Sequence, residues 1–236
     1  MDLVFARVRE ELRAGGCAVC RLAGYTERRF LDNLLYERVN DPHTREDLRS
    51  SWGFCPRHAW MLPAHRSPVL GVAILYQDLL QTLRARLEAW SRSVGTRPLS
   101  RRARALLTPA AACPACAHRT RMEEVYLASL LDHLEDPEVG AALSGPAPLC
   151  LPHFLRAVVL AGSPRVRLRL VELYAEALSR LEQDVAELVR KHDHRFRGEG
   201  FTPSQASSWL RALELFSGRD PCEGRPAPDL RPQGPP

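Results

Sequence analysis

Lysine is almost absent from this 236-residue chain: Lys191 stands alone, and the other 32 basic residues are arginines. A basic excess built from one residue type reads as a compositional bias more than as a nucleic-acid surface. Acidic residues are also interspersed, with Glu10 and Glu11 among Arg7, Arg9 and Arg13. The densest basic group, Arg97, Arg101, Arg102 and Arg104, is read as a solvated linker and helix face, with a phosphate-contact patch as the alternative. Long apolar runs are missing as well. No stretch approaches the ~18 residues of a membrane span, and Asp2, Arg7, Arg9, Glu10 and Glu11 break any signal-peptide pattern. The expected location is cytoplasmic, with no membrane partner. Strand-type alternation is lacking, and so are H-E-x-x-H and comparable hydrolase signatures, although Asp32 and Glu37 lie in a histidine-rich chain.

What the chain does have is one cysteine and histidine pattern written twice. Cys17, Cys20, Cys55 and His58 are matched by Cys113, Cys116, Cys150 and His153, each copy reading C-x-x-C, then C-x-x-H. The offset is 96 for the C-x-x-C pairs and 95 for the C-x-x-H pairs. Three thiolates and one imidazole suit a closed tetrahedral zinc site. In a reducing compartment such spacings are metal ligands more often than disulfides, and disulfides would leave both histidines unexplained. The expected assignment takes each copy as its own site: Cys17, Cys20, Cys55 and His58 hold one Zn(2+), and Cys113, Cys116, Cys150 and His153 a second. Two such ions with their thiolates lower the formal charge from +5 to +3. The seventh cysteine, Cys222, is read as a free thiol in a proline-rich tail.

The duplication extends past the ligands. Phe30, Leu31, Leu34 and Leu35 reappear as Tyr126, Leu127, Leu130 and Leu131, and Asp41 and Pro42 as Asp136 and Pro137. Ser67 with Pro68 and Ser163 with Pro164 each supply an N-cap and a first-turn proline for a long helix. Periodicity then predicts helices nearly throughout. The first follows Asp2 and ends at Gly15 and Gly16; others span Tyr25 to Val39, Pro68 to Ser91, Ser100 to Leu107, Arg119 to Leu134 and Pro164 to His192. Between Asp41 and Cys55 only a short segment is expected. Cys55 with Pro56 marks a helix start that sets His58 one turn beyond. Tyr76, Leu80 and Leu83, and Tyr174, Leu178 and Leu181, are expected on apolar faces. Thr202, Pro203 and Gln205 form a capping box, and Trp209, Leu210, Leu213 and Phe216 the apolar face of the helix that follows. His65 and His118 are candidate substitute ligands without counterparts in the other copy. The cluster from Lys191 to Arg195 is read as a helix C-terminus that favours cations.

These elements predict an all-α, pseudo-twofold protein of two tandem homologous modules, each stapled by a Cys3His metal site. The first module spans 1–95 and the second 96–198, followed by a helix over 199–217 and a disordered tail over 218–236. Small modules of this kind need a staple, and structural zinc supplies roughly 10–16 kcal/mol in finger peptides.

The run L-L-Y-E-R-V-N-D-P from Leu34 to Pro42, G-F-C-P-R-H from Gly53 to His58 and G-V-A-I-L-Y from Gly71 to Tyr76, with the C-x-x-C ahead of them, resembles a bacterial family known only as a domain of unknown function. The likeness covers most of residues 15 to 217 and implies that these motifs belong together. It implies no activity. In the second copy Gly145, Pro146 and Pro148 replace Ser50, Ser51 and Trp52, so any property of Trp52 is confined to the first.

The favoured function class is a non-enzymatic zinc-binding interaction or regulatory protein with an unidentified protein partner or a second copy of itself. The alternatives are a redox or metal responder with labile zinc or an iron-sulfur cluster, and a nucleic-acid-binding regulator, with nucleic acid expected to bind weakly or not at all. A zinc enzyme is disfavoured because four protein ligands leave no open position.

Overall fold

The computed structural model describes residues 2–64, 68–93, 108–146, 148–196 and 198–219. Among them are ten α-helices, two short 3-10 turns and no strand. The helices are α1 (Leu3–Leu12), α2 (Ala18–Glu37), α3 (Pro42–Ser51), α4 (Pro56–Met61), α5 (Pro68–Ser93), α6 (Pro114–Asp132), α7 (Pro137–Leu143), α8 (Leu151–Leu160), α9 (Pro164–Lys191) and α10 (Pro203–Ser217). No described helix is long and apolar enough to cross a membrane.

Local chemistry starts most of these helices. Asp2 caps α1 through Val4 N–H at 2.9 Å and Phe5 N–H at 3.2 Å. Gly15 and Gly16, both at positive φ, turn the chain from α1 toward Cys17. Asp41 and Pro42, where the helix expected from Tyr25 to Val39 stops, begin the next helix, and Asp136 and Pro137 do the same. Asp41 accepts from the N–H groups of His43 and Thr44 and Asp136 from that of Glu138, with Pro42 and Pro137 in the first turns of α3 and α7. Both pairs are helix starts, an N-cap followed by a proline whose missing N–H costs nothing there. The segment expected to be short is therefore the helix α3. The capping box of Thr202 and Gln205 opens α10 as expected.

The described residues divide into two compact units, and the division differs from the expected tandem cut at residue 95. One unit comprises the described residues of Met1–Tyr25 and Arg121–Glu223, the other those of Thr26–Thr120. The physical reason is where apolar surface is buried. In the first unit Val8, Leu12, Val19 and Leu22 share one core with Tyr126, Leu127, Leu130, Leu134, Leu149, Leu170 and Leu173. Here α1 packs on α7, and α9 packs on α7 and α10. In the second unit Leu31, Leu34, Leu48, Leu62 and Leu75 are buried, and α3 packs on α5. A Cβ on Gly71 of α5 would lie 2.8 Å from the Leu35 carbonyl oxygen, so glycine is what permits that approach.

Some apolar stripes face the other way from expectation. On α10, Trp209, Leu210, Leu213 and Phe216 are exposed, while Ser208 and Leu215 are buried against α8 and α9. Leu80 is exposed, and Leu75 and Leu79 carry the buried face of α5. Leu170, Leu173, Tyr174, Ala177 and Leu181 form that of α9, with Leu178 outside it. His65, Ser67, the linker, the helix expected over Ser100 to Leu107, the Arg97 to Arg104 group and the tail with Cys222 lie outside the described residues.

Candidate metal centres

All eight expected ligands converge into two sets of four, but each set takes half of each sequence copy. Cys17 and Cys20 meet Cys150 and His153; Cys55 and His58 meet Cys113 and Cys116. The expected assignment within each copy is corrected accordingly. We call these site one and site two.

Each ligand pair straddles the start of a helix. Cys17 precedes α2 and Cys113 precedes α6, with their carbonyls accepting the first helical N–H bonds from Arg21 and Ala117. Cys55 and Cys150 are the N-cap residues of α4 and α8, and neither thiol caps the backbone. The sulfur that would otherwise be a poor cap is thus free to ligate. His58 and His153 follow three residues later, which brings Nδ1 of each within 3.1 Å of Sγ on its own helix.

The remaining distances fit one small ion per site. In site one His153 Nδ1 lies 3.4 Å from both Cys17 Sγ and Cys20 Sγ, and Cys20 Sγ lies 3.5 Å from Cys150 Sγ. In site two His58 Nδ1 lies 3.5 Å from Cys113 Sγ and 3.4 Å from Cys116 Sγ, with Cys55 Sγ 3.6 Å from Cys116 Sγ. A tetrahedron with metal–sulfur bonds of about 2.3 Å and metal–nitrogen bonds of about 2.0 Å has edges of roughly 3.5 to 3.8 Å. Either donor set can therefore hold an ion of that size.

The sequence reading overlooked the carboxylates behind the histidines. Glu27, fully buried, accepts from His58 Nε2, from Arg57 at 2.7 Å and from Arg119 at 3.0 Å. Glu123 lies 3.4 Å from His153 Nε2 and accepts from Arg156 at 2.9 Å. With Nε2 turned to a carboxylate, Nδ1 is the nitrogen that faces the thiols in both sites, as a carboxylate–histidine–metal arrangement would need. A signal was present: Glu27 and Glu123 are separated by the same 96 residues as the C-x-x-C pairs. Their helices also cross over. α2 carries Cys20 of site one and Glu27 behind site two, and α6 carries Cys116 of site two and Glu123 behind site one.

Electrostatics at both sites favours positive charge. Burial alone would lower the histidines, but neighbouring thiols and the carboxylate raise His58 to about 10 and His153 to about 11. Burial would raise Glu27, yet His58, Arg119 and Arg57 hold it below the usual carboxylate value. Burial and the adjoining thiols push Cys17 well up, and the same causes push Cys116 up to about 12. Cys113 is lowered to about 6, since His58 and the backbone N–H groups of Cys55 and Cys116 outweigh its burial. A dication satisfies such a set better than a proton can.

The two sites differ in access. Cys17, Cys20 and Cys150 are at most 7% exposed, and a Cβ on Gly218, the C-cap of α10, would sit 3.4 Å from Cys20 Sγ and 3.6 Å from Cys150 Sγ. In site two Cys55, Cys113 and Cys116 are half-buried. The other expected candidates are engaged elsewhere. His118 stacks on Phe30 at 4.6 Å. His192 Nδ1 lies 2.7 Å from the Leu188 carbonyl, and Lys191 donates to Gly200 and Gln205, as fits a helix end. Tyr174 stacks on Phe154 at 3.8 Å, and Tyr76 is half-buried on α5. Trp52, in the left-handed region at φ 55, ends α3 with Arg86 over its ring.

Among curated proteins the chain is similar to an "Uncharacterized 23.9 kDa protein in xynA 3'region" of Caldicellulosiruptor sp. (strain Rt8B.4), 24% identical over 212 residues that cover 89% of this chain and 98% of the relative. No solved structure matches. The cysteine and histidine motifs that frame both sites lie inside residues 5–222, the span matched by the family of unknown function DUF6062, and the chain belongs to that family.

Proposed function

We propose that this is a non-enzymatic zinc-binding protein with one structural ion in each Cys3His site, and that the stapled helical scaffold serves protein interaction or regulation. The observation that carries the reading is closure: each site gathers four protein ligands at tetrahedral spacing. Catalytic zinc keeps a position for water or substrate, and structural zinc does not. Three thiolates and an imidazole suit zinc. The sulfur spacing also speaks for a single ion over an iron-sulfur cluster, whose ligands sit on separate irons and therefore further apart.

Metal analysis of protein purified under reducing conditions tests the reading. The expected result is two zinc equivalents per chain in a colourless protein, with cobalt substitution giving the visible bands of a tetrahedral ion. A brown protein containing iron would overturn it in favour of a cluster, and a metal-free folded protein would overturn it altogether.

A further inference from the structure

We infer that site two is an oxidisable metal-release site, in which Cys55 and Cys116 form a disulfide that expels the ion while site one keeps its own. The inference rests on the metal-binding reading above.

Both sites contain a close sulfur pair from two different helix starts: Cys20 and Cys150 at 3.5 Å in site one, Cys55 and Cys116 at 3.6 Å in site two. Geometry therefore does not separate them. Access does. Thiolate oxidation follows thiolate character and exposure. Cys20 is 5% exposed and Cys150 1%, beneath the chain at Gly218. Cys55 and Cys116 are half-buried, and their neighbours Pro56, Arg57 and Ala117 are exposed. Arg57 itself pairs with Glu27 behind the histidine, so the cationic side chain beside Cys55 is held in place.

The oxidant is a hydroperoxide. One thiolate of the pair attacks the peroxide oxygen; an S–O bond forms, the O–O bond breaks, and the departing alkoxide or hydroxide takes up a proton. The second thiolate attacks the resulting sulfenic sulfur; the S–S bond forms, the S–O bond breaks, and hydroxide leaves and is protonated to water. Two electrons from the two sulfurs reduce one peroxide. The dication, left with Cys113 and His58, then dissociates. A dithiol reductant with fresh zinc reverses the sequence.

The test uses the metal-loaded full-length protein, titrated with hydrogen peroxide, with released zinc read by a colorimetric chelator and the linkage by peptide mass spectrometry. The expected result is release of one of two zinc equivalents, a Cys55–Cys116 disulfide, unmodified Cys17, Cys20 and Cys150, and recovery with dithiothreitol and zinc. Parallel loss of both equivalents, earlier loss from site one, or a Cys113–Cys116 linkage overturns the inference and leaves the metal-binding reading standing. Starting protein without metal overturns both. Because Cys116→Ser can fail to fold, Gly218→Ala provides a second measurement: it strains the backbone at φ 75 where the chain covers Cys20 and Cys150, and it is expected to raise peroxide-driven release from site one above the unmodified protein. Unchanged release counts against burial as the protecting factor and overturns the inference.

Discussion

Site one and site two use the same ligand types, three cysteines and one histidine, and differ in what surrounds them. Site one lies in a core of leucines and valines with Gly218 over two of its sulfurs. Site two has half-buried thiols, and behind its histidine the fully buried Glu27 meets His58, Arg57 and Arg119, while at site one Glu123 lies 3.4 Å from His153 and pairs with Arg156. Packing shields the thiols of site one, and those of site two stay half-buried. Identical donor sets thus differ in exposure, because ligand identity sets affinity while the surroundings set access.

The largest expected effect comes from breaking a site. Cys150→Ser should release one ion and unfold the first unit, because structural zinc contributes roughly 10–16 kcal/mol against a typical net stability of about 5–15 kcal/mol. The crossed ligand sets make a sharper claim. The thiols that become open to alkylation in Cys150→Ser should be Cys17 and Cys20, with Cys113 and Cys116 still protected by their ion. Alkylation of Cys113 and Cys116 instead would restore the assignment within each copy.

Next in size are the carboxylates. Glu27→Gln should weaken zinc retention at site two by about 10- to 100-fold, the range for removing an outer-shell partner. Glu123→Gln should cost site one less, given its longer contact. Competition with a chelator measures both, and an equal loss would show that the two networks do the same job.

A smaller effect separates packing in the second unit from ligation. Gly71→Ala places a Cβ 2.8 Å from the Leu35 carbonyl oxygen, whereas a Cβ at Gly162 meets nothing within 4 Å. The first substitution should destabilise by about 1–3 kcal/mol, as overpacking does, and Gly162→Ala should be close to neutral. Denaturant unfolding of the two variants, with zinc content unchanged, checks this. Smallest is Thr202→Ala, which removes the cap of α10 at about 1 kcal/mol. Its melting transition should fall slightly with both ions retained.

The helices were legible where caps and periodicity agreed, as at Asp2, Cys55, Ser163 and Thr202. They were misread where one signal has two meanings. Asp41-Pro42 can end a helix or begin one, and it begins α3 because the Asp41 side chain accepts from the N–H groups that follow. On α10 the apolar residues pointed to the wrong face. The buried side is Ser208 and Leu215, and burial is decided by what α8 and α9 present to it, which no property of the α10 segment contains.

The sequence by itself determined the eight candidate ligands, their grouping into C-x-x-C and C-x-x-H pairs and the helix starts that present them, because each of these is local chemistry over a few residues. Only the tertiary structure decided which pairs come together in one donor set. Joining Cys20 to Cys150 closes a separation of 130 residues, where joining Cys20 to Cys55 would close 35. Closure entropy grows only logarithmically, so the longer loop costs about 1 kcal/mol more. Burial of a single leucine contributes about 1.5–3 kcal/mol, and the first unit brings Leu12 and Leu22 into one core with Leu127, Leu130, Leu149 and Leu170. Packing therefore outweighs spacing, and spacing is all that a linear motif records.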